Sequence, residues 1–343
     1  MSEAITAGDV SLRILYDQTV RALTRGRPAE ARDSLNALAD VVTDYQLAVL
    51  ELARQLAVQS FEWPAERRPF HPLPCPTPSD DQVDLVTFHV DLPQSPSGIH
   101  EPIDFVALLS DWLQAARSVA PKARAILLTD EHTAVPATLP FGVVLRSSID
   151  RERLMYERMR VQCEYFLARE HERASVLLDS DAIVNADPRG LFTHTGDLGL
   201  TWRDGFPTAP FNGGAIVVAS GEGGPALLRE ALDCYADLAQ HPNVVAAFET
   251  DLRAWWGDQY ALALLVGYRN FAERGAAQGT YIDTRTVRFL PCNEYNYTVD
   301  ASRAVAAPEP RRLRDKFIVH FKGNRKSLQS EYVARLRAML STP

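Results

Sequence analysis

Residues 177–185 have the sequence LLDSDAIVN, so that Asp179 and Asp181 interrupt what is otherwise an apolar run. Burying a carboxylate costs several kcal/mol unless a cation or a set of donors compensates for it. We predict a single strand over 176–184, in which side-chain alternation places both acids on one side. Such oxygen ligands suit Mg²⁺ or Mn²⁺, which bind through one or two carboxylates together with the phosphates of a substrate. The stretch therefore predicts a site for a metal diphosphate.

A D-x-D triplet can instead mark only a turn. The apolar residues on both sides of Asp179 and Asp181 favour the site, because a turn does not normally lie between two apolar runs.

The composition predicts a globular protein with one sizeable domain and an appendage, since 46 % of its 343 residues are hydrophobic. The four cysteines form no C-x-x-C pair, which argues against a zinc site or a disulfide framework and fits a cytoplasmic protein. A net charge of −8 argues against a nucleic-acid partner. No apolar run is long enough for a transmembrane segment.

The N-terminal part differs in pattern from the rest. Residues 10–62 predict two helices that are broken at Gly26, and residues 64–78 contain six prolines, which we interpret as excluding both helix and sheet. We therefore divide the chain into a helical hairpin at 1–63, a proline-rich linker at 64–80, an α/β domain at 81–330 and a C-terminal helix at 331–343. The hairpin is predicted to mediate self-association, as in a homodimer, or recruitment of another molecule.

From residue 83 onwards, short apolar runs alternate with amphipathic stretches, which is typical of an α/β sheet with helices on its faces. Strands are predicted at 83–90, 125–129, 143–145, 176–184, 216–219 and 317–321. Helices are predicted at 105–119, 151–170, 225–239 and 258–266.

In open α/β sheets, ligands bind beyond the carboxyl ends of the strands. Asp130 and Asp179 are predicted to lie there, although a residue in the position of Asp130 is, taken alone, more often the cap of a turn or a helix. Neither a G-x-G-x-x-G fingerprint nor a P-loop occurs in the sequence. The charge of a phosphate would therefore have to be met by a metal and by side chains.

Three further segments combine polar groups with apolar neighbours. Residues 211–218, FNGGAIVV, predict a glycine-paired turn that enters a strand and lets the backbone approach a ligand, although a tight turn without a ligand would look the same. Asp258 and Gln259 open a predicted helix. Residues 318–326, IVHFKGNRK, place His320 on a strand before several cations; a satisfied core histidine is the alternative.

Taken in chain order, these segments resemble the motifs of nucleotide-sugar glycosyltransferases with the GT-A fold, and they are closest to the glycogenin-like and lipopolysaccharide galactosyltransferase-like retaining group. The family motifs D-x-D, F-N-x-G, D-Q and H-x-x-G-x-x-K match residues 179–181, 211–214, 258–259 and 320–326. The resemblance covers roughly residues 83–326. It implies a GT-A mixed sheet flanked by helices, to which the helical hairpin is added.

The resemblance also implies roles for individual residues. Asp179, Asp181 and His320 would be ligands of Mn²⁺ or Mg²⁺. Asn212, Asp258 and Gln259 would be the catalytic residues that line the reactive face of the sugar. The donor would be bound by a larger set, in which Lys326 contacts the diphosphate: Phe88, Asp130, Arg158, Asp179, Ser180, Asn212, Gly213, Gly214, Gly323 and Lys326.

Two positions bear on how far the family pattern extends. In the family, the helix before the acids supplies a basic residue to the donor site. Tyr156, Arg158 and Arg160 lie in that region here, and we prefer Arg158. Tyr260 replaces the second acid that follows the glutamine in the family, which leaves the specificity for the sugar and the acceptor open.

The activity implied is metal-dependent transfer of a sugar, with retention, from a nucleotide-diphosphate sugar to a hydroxyl group. The donor would be a UDP-sugar rather than a GDP-sugar, and the acceptor a saccharide, a lipid-linked molecule or a protein. One alternative is a phosphatase of the haloacid-dehalogenase type, although its D-x-D normally ends the first strand of its domain, with threonine or valine in place of Ile183. The other is a non-catalytic interaction protein that binds sugar nucleotides.

Overall fold

The computed structural model describes residues 77–92, 104–168, 173–193, 196–203, 210–240, 257–267, 278–300 and 306–341, together with Arg68–Pro69 and scattered positions between 18 and 30. The predicted helical hairpin at 1–63 lies almost entirely outside the described residues. Its fold and its role in self-association stay predictions.

The described residues form twelve strands, numbered in chain order. They are β1 (Arg68–Pro69), β2 (Val83–Phe88), β3 (Arg124–Asp130), β4 (Val143–Ser147), β5 (Ala174–Asp179), β6 (Ala182–Val184), β7 (Leu198–Trp202), β8 (Phe211–Val218), β9 (Gly279–Ile282), β10 (Arg285–Pro291), β11 (Tyr297–Thr298) and β12 (Ile318–His320). Nine of them form one mixed sheet in the order β1-β9-β10-β7-β8-β5-β2-β3-β4, and β11-β12-β6 form a small second sheet.

Helices cover both faces of the large sheet. They are α1 (Phe105–Val119), α2 (Leu154–Ala168), α3 (Gly223–Gln240), α4 (Gly257–Val266), the short α5 (Cys292–Tyr295) and α6 (Gln329–Leu340). Single 3₁₀ segments lie at Asp80–Gln82, Arg151–Arg153, Pro188–Phe192, Pro310–Leu313 and Gly323–Leu328. Because the sheet lies between two helical layers, the residues of β2 and β8 are buried throughout, which explains why these strands consist mainly of apolar and small residues.

The core is divided between the two faces. On one face α2, α3 and α4 pack together, with Phe166 and Leu262 among the buried residues. On the other face α1 packs against α6, with Trp112 and Tyr332 buried between the helices and the sheet. The predicted α/β class, with a mixed sheet flanked by helices, is therefore confirmed. Among the described residues, no helix combines the length and the hydropathy needed to cross a membrane.

The prediction of one strand over 176–184 is wrong. The strand ends at Asp179, Ser180 and Asp181 form a turn, and β6 continues in the small sheet, where it pairs antiparallel with β12. The turn is held because the Asp181 carbonyl accepts a hydrogen bond from the Phe321 amide at 2.8 Å. The two acids still lie at one site, but a turn brings them there rather than the alternation of a strand.

The predicted turn over 211–214 is also wrong, because these residues form the first half of β8. This strand is antiparallel to β5, and Ala215 lies opposite Leu178. The register therefore places Gly214 next to the end of β5, where Asp179 begins the turn. The first half of β8 thus lies along the edge of the sheet at which ligands were predicted to bind.

The proline-rich linker also departs from prediction at one point. Pro69 lies in β1, an edge strand of the large sheet that pairs antiparallel with β9, so that prolines do not exclude sheet there. An edge position tolerates proline because the missing amide is not needed for a second ladder. At the other end of the chain, α6 lies where the C-terminal helix over 331–343 is predicted.

Candidate active site

A cavity of about 460 Å³ opens at the carboxyl ends of β2 and β5. This volume lies within the ~300–1,000 Å³ that is usual for small-molecule sites. Many of the predicted site residues line it: Phe88, Arg158, Asp179, Ser180, Asp181, Asn212, Gly214, Gln259, His320, Gly323 and Lys326. Elements that are remote in sequence thus bring the predicted residues to one place.

Asp179, Asp181 and His320 form a cluster of potential metal ligands. Each offers one ligand atom, and these atoms lie within 4.8 Å of one another. His320 Nε2 is 3.0 Å from Asp181 Oδ1 and 3.7 Å from Asp179 Oδ2. The pairing of β6 with β12 produces this arrangement, since it places His320 opposite Ala182.

The orientation of the His320 ring follows from a chain of buried hydrogen bonds. The Thr201 hydroxyl lies 2.8 Å from the carbonyl oxygen of Asn212 and 3.0 Å from that of Ala215. Because carbonyl oxygens only accept hydrogen bonds, the hydroxyl proton points towards them. The hydroxyl oxygen therefore accepts from Asn296 Nδ2, at 3.1 Å, and the Asn296 Oδ1 faces His320 Nδ1 at 3.0 Å. Because an amide oxygen only accepts, the ring proton is on Nδ1 and the lone pair of Nε2 is directed at the acids.

The electrostatics of the cluster favour a bound cation. Burial lowers the pKa of His320, so that the ring is neutral. Burial opposes ionisation of Asp181, but the ion pair with the ammonium group of Lys326 outweighs it and holds the Asp181 pKa below its usual value. A neutral imidazole nitrogen and a carboxylate oxygen 3.0 Å apart both present lone pairs, and a shared cation stabilises such a pair.

Two basic side chains accompany the acids. Lys326 is ion-paired with Asp181, and Arg158, from α2, is ion-paired with both Asp179 and Asp258. Arg158 and Asp258 are almost fully buried, at 6 % and 1 % exposure. Burial raises the pKa of Asp258, whereas the Arg158 guanidinium acts in the opposite direction. Asp258 therefore lies behind the cavity wall and holds Arg158 against Asp179.

The two glycines of β8 allow the strand to pass directly beside this cluster. A β-carbon on Gly214 would lie against the His320 ring and 2.7 Å from Asp179 Oδ2. One on Gly213 would collide with Asp258 and would lie 2.6 Å from Arg158 Nη2. The glycine pair is thus required for a close approach of the backbone to the ligand residues, and not for a turn.

Asn212 and Gln259 are held in fixed orientations at the cavity wall. Asn212 Oδ1 accepts from the Gly214 amide at 3.0 Å, which directs Nδ2 away from the strand. Among the described residues no oxygen or nitrogen accepts from this buried Nδ2, and the neighbouring Cys292 thiol is only a weak acceptor. Gln259 Oε1 accepts from Arg203 Nη2 at 2.6 Å, which leaves the amide group of Gln259 as its donor.

Three predicted site residues do not line the cavity. Asp258 lies behind its wall, and Gly213 lies in β8 against Asp258 and Arg158. Asp130 caps a turn: its carboxylate accepts from the Thr133 amide at 2.6 Å and from Arg151 Nε at 2.9 Å. The structure therefore does not bring Asp130 to the donor site, and the alternative role of a cap describes its contacts.

Three residues with a part in the site were missed or undervalued. Arg203 orients Gln259, Asn296 orients His320, and Lys322 lines the cavity beside them. Lys322 could have been recognised as one of the cations in the segment 320–326. For Arg203 and Asn296 no sequence signal was available, because their roles arise from pairing between distant strands and helices.

A scan against protein-family models found no match, and neither did a search of curated proteins. Solved structures show a distant similarity. A crystal structure of the galactosyltransferase LgtC in complex with donor and acceptor sugar analogs matches at 13 % identity and a TM-score of 0.44, over 76 % of this chain and 97 % of that chain.

Two further similarities are of the same kind. The glycosyltransferase GlyE of Streptococcus pneumoniae TIGR4 matches at 14 % identity and a TM-score of 0.43, over 75 % of this chain but only 62 % of its own length. A glycosyltransferase involved in the glycosylation of the major capsid of PBCV-1 matches at 14 % identity and a TM-score of 0.39, over 73 % of this chain and 98 % of that chain.

Proposed function

We propose that the protein is a metal-dependent glycosyltransferase that moves a sugar from a nucleotide-diphosphate sugar to a hydroxyl acceptor. The observation that carries the proposal is the cluster of Asp179, Asp181 and His320, with Lys326 beside it, in the wall of a cavity of about 460 Å³. A cavity with metal ligands and an ammonium group beside them, in a chain without a P-loop, suits a metal diphosphate.

The donor set fits a divalent metal. The two carboxylates and His320 Nε2 would hold it, and the missing β-carbon of Gly214 leaves room at the ligands. We assign Mn²⁺ in preference to Mg²⁺, because Mg²⁺ favours ligand sets made only of oxygen. When bound, such an ion offsets the negative charge that grows on the diphosphate as it leaves.

The side chains of the protein then have separable tasks. Lys326 exchanges its contact with Asp181 for an oxygen of the diphosphate and stabilises the leaving group there. Arg158 keeps Asp179 ionised and in place. Asn212 lines the same cavity, the Gln259 amide is a donor directed at the sugar, and the preorganisation of Gln259 by Arg203 limits the entropy lost on binding.

We further propose that the reaction retains the configuration of the sugar. Among the described residues of the cavity wall the only carboxylates are Asp179 and Asp181, both assigned to the metal, so that none is free to act as the general base of an inverting reaction. The bond between the anomeric carbon and the diphosphate oxygen breaks, and a bond to the acceptor oxygen forms on the same face. The hydroxyl proton passes to the departing phosphate.

The donor nucleotide and the acceptor are finer proposals. Phe88, Val90 and Phe105 form an apolar part of the lining that suits a nucleobase. We assign uridine rather than guanosine on the motif resemblance, and an acceptor that is a saccharide, a lipid-linked molecule or a protein. Acceptor recruitment by the N-terminal hairpin would be tested by deleting residues 1–62, which should leave hydrolysis of the donor in place.

The phosphatase alternative is not favoured. It requires Asp179 as a nucleophile, but this carboxylate is ion-paired with the buried guanidinium of Arg158, which lowers its nucleophilicity. The non-catalytic alternative requires binding without turnover, and a single assay separates it from a transferase.

The test combines binding and turnover. Calorimetry with UDP and with GDP, each with and without Mn²⁺, should show that nucleotide binding depends on the metal. Equal nucleotide affinity with and without Mn²⁺ would contradict the proposal. Incubation with a panel of nucleotide sugars and Mn²⁺ should then release nucleotide diphosphate slowly. Release of phosphate alone would indicate a phosphatase, and binding with no release would indicate an inactive binding protein. The anomeric configuration of the product, measured by NMR, decides whether it is retained.

A further inference from the structure

His89 lies in the cavity wall directly after β2, beside the apolar residues that are proposed to hold the nucleobase. Its amide donates to the Leu128 carbonyl at 3.0 Å, which extends the pairing of β2 with β3 by one residue. The ring packs against Phe105, the first residue of α1, with the ring centroids 5.1 Å apart and the two planes 31° apart. The backbone and the ring of His89 are therefore both held in place at this side of the cavity.

A carboxylate decides which nitrogen of this ring carries the proton. His89 Nε2 is 3.0 Å from Asp91 Oδ1. Asp91 is itself held by the turn that follows β3: its amide donates to Thr133 Oγ1 at 2.9 Å, and its Oδ2 accepts from the Ala134 amide at 3.3 Å. Because carboxylate oxygens only accept hydrogen bonds, the ring proton of His89 is on Nε2.

The other ring nitrogen, Nδ1, is thus an acceptor. Burial lowers the pKa of His89, and the contact with Asp91 opposes this only in part, so that the ring is neutral at neutral pH. Among the described residues, no group donates a hydrogen bond to Nδ1. His89 is only 6 % exposed, so that little water reaches the ring to replace a missing donor. An acceptor in this position favours a ligand that presents a hydrogen to it.

Nucleobases differ in what they present to such an acceptor. Uracil N3 and guanine N1 each carry a hydrogen, whereas cytosine N3 and adenine N1 each present a lone pair on the same edge of the base. Two lone pairs that face each other repel, and a buried acceptor that finds no donor is costly. A neutral His89 ring with its proton on Nε2 therefore favours uracil and guanine over cytosine and adenine.

We propose that His89 determines the specificity for the nucleobase of the donor, with Nδ1 accepting a hydrogen bond from the ring N–H of uracil or guanine. Asp91 is a positioning residue, because it acts only through the tautomer of His89. The inference rests on the proposed function and deepens it, since it states which class of base the site selects. Two bases share this chemistry, and the size of the base decides between them.

Calorimetry with the full chain and Mn²⁺ compares the nucleotides in two pairs of similar size, UDP with CDP and GDP with ADP. The members of each pair differ in whether the ring nitrogen donates or accepts. In the pair that binds more tightly, the parent protein should prefer UDP to CDP, or GDP to ADP, about tenfold or more. The identity of that pair shows which base supplies the ring N–H. Equal affinity for both members of that pair would overturn the inference.

His89→Phe keeps an aromatic ring against Phe105 but has no acceptor, and it should reduce the preference within the pair to about threefold or less. His132→Phe, which replaces an exposed histidine outside the cavity lining, is the matched control and should keep the preference of the parent. A His89→Phe variant that is folded by circular dichroism and keeps the ratio of the parent would overturn the inference. So would an equal loss of affinity for both members, because the ring would then only pack against the base.

Asp91→Asn tests the tautomer with little change of shape. The Ala134 amide requires an oxygen opposite it, so that the NH₂ group of the new side chain faces His89 Nε2. The ring proton then moves to Nδ1, and the preference should shift towards CDP or ADP, which packing alone would not cause. An unchanged ratio in this variant would overturn the inference. A parent protein that binds no nucleotide would instead overturn the proposed function, and this inference with it.

Discussion

His320 Nδ1 and Asn296 Oδ1 are 3.0 Å apart in the buried interior, and this contact decides which nitrogen of the histidine faces the acids. Asn296→Leu removes the acceptor at similar volume. The ring is then free to adopt the other tautomer or to rotate, and we expect the affinity for Mn²⁺ to fall about 10- to 100-fold, as is usual when the partner of a ligating histidine is lost. Titration of Mn²⁺ followed by electron paramagnetic resonance measures the change.

Asn296→Asp is the conservative counterpart, because a carboxylate still accepts from Nδ1. It should retain the affinity of the parent within about tenfold. If the leucine variant binds Mn²⁺ as tightly as the parent while remaining folded, His320 is not held in this way.

Gly214→Ala tests the close approach of β8 to the ligands. The added methyl group would lie against the His320 ring and 2.7 Å from Asp179 Oδ2, so that these side chains must move apart. We expect metal-dependent binding of UDP to be lost, while circular dichroism shows that the secondary structure is kept. Gly142→Ala is the matched control: its methyl group would lie 3.2 Å from Arg124 Cγ, outside the cavity lining, and should leave UDP binding unchanged. Tight, metal-dependent binding of UDP by the Gly214→Ala variant would show that the missing side chain at this position is not required.

The sequence was most informative where a local pattern decides the structure. Helix α1 has the predicted bounds, because Asp104 caps its first turn and the apolar positions recur at helical spacing. The positions of Asp179 and His320 could be predicted as well, since polar residues at the ends of apolar strands are recognisable without knowledge of the pairing.

The rest depends on contacts between distant residues. Apolar residues on both sides of the segment 179–181 concealed the turn, which exists because β6 pairs with β12 more than one hundred residues later. Asp130 was assigned to the donor site because a cap and a ligand occupy the same position after a strand. Arg151, 21 residues further on, decides between the two roles. The parts of Asn296 and Arg203 follow only from the folded chain.

Asp181→Asn tests the metal cluster directly. The substitution keeps the shape of the side chain but removes a charged ligand, so that stabilisation of the leaving group worth several kcal/mol is lost. We expect turnover of the donor to become undetectable while circular dichroism shows that the fold survives. Activity within about tenfold of the parent, a difference of ~1.4 kcal/mol, would show that Asp181 is not a ligand.

Asp130→Asn tests whether this residue stabilises the fold instead of binding the donor. Burial raises the pKa of Asp130, but the hydrogen bonds from Thr133 and the contact with Arg151 outweigh it and leave the pKa below its usual value. A carboxylate with a lowered pKa in the folded state contributes stability above its unfolded pKa of ~3.9, and this contribution is lost as the pH falls through the folded value. Urea unfolding should therefore show the variant to be less stable by about 2 kcal/mol at neutral pH, with the difference shrinking below about pH 4.

Glu131→Gln, an exposed neighbour, should change the stability little at either pH. Calorimetry should find that the Asp130→Asn variant binds UDP and Mn²⁺ with the affinity of the parent. A loss of that affinity at unchanged stability would indicate that Asp130 binds the donor.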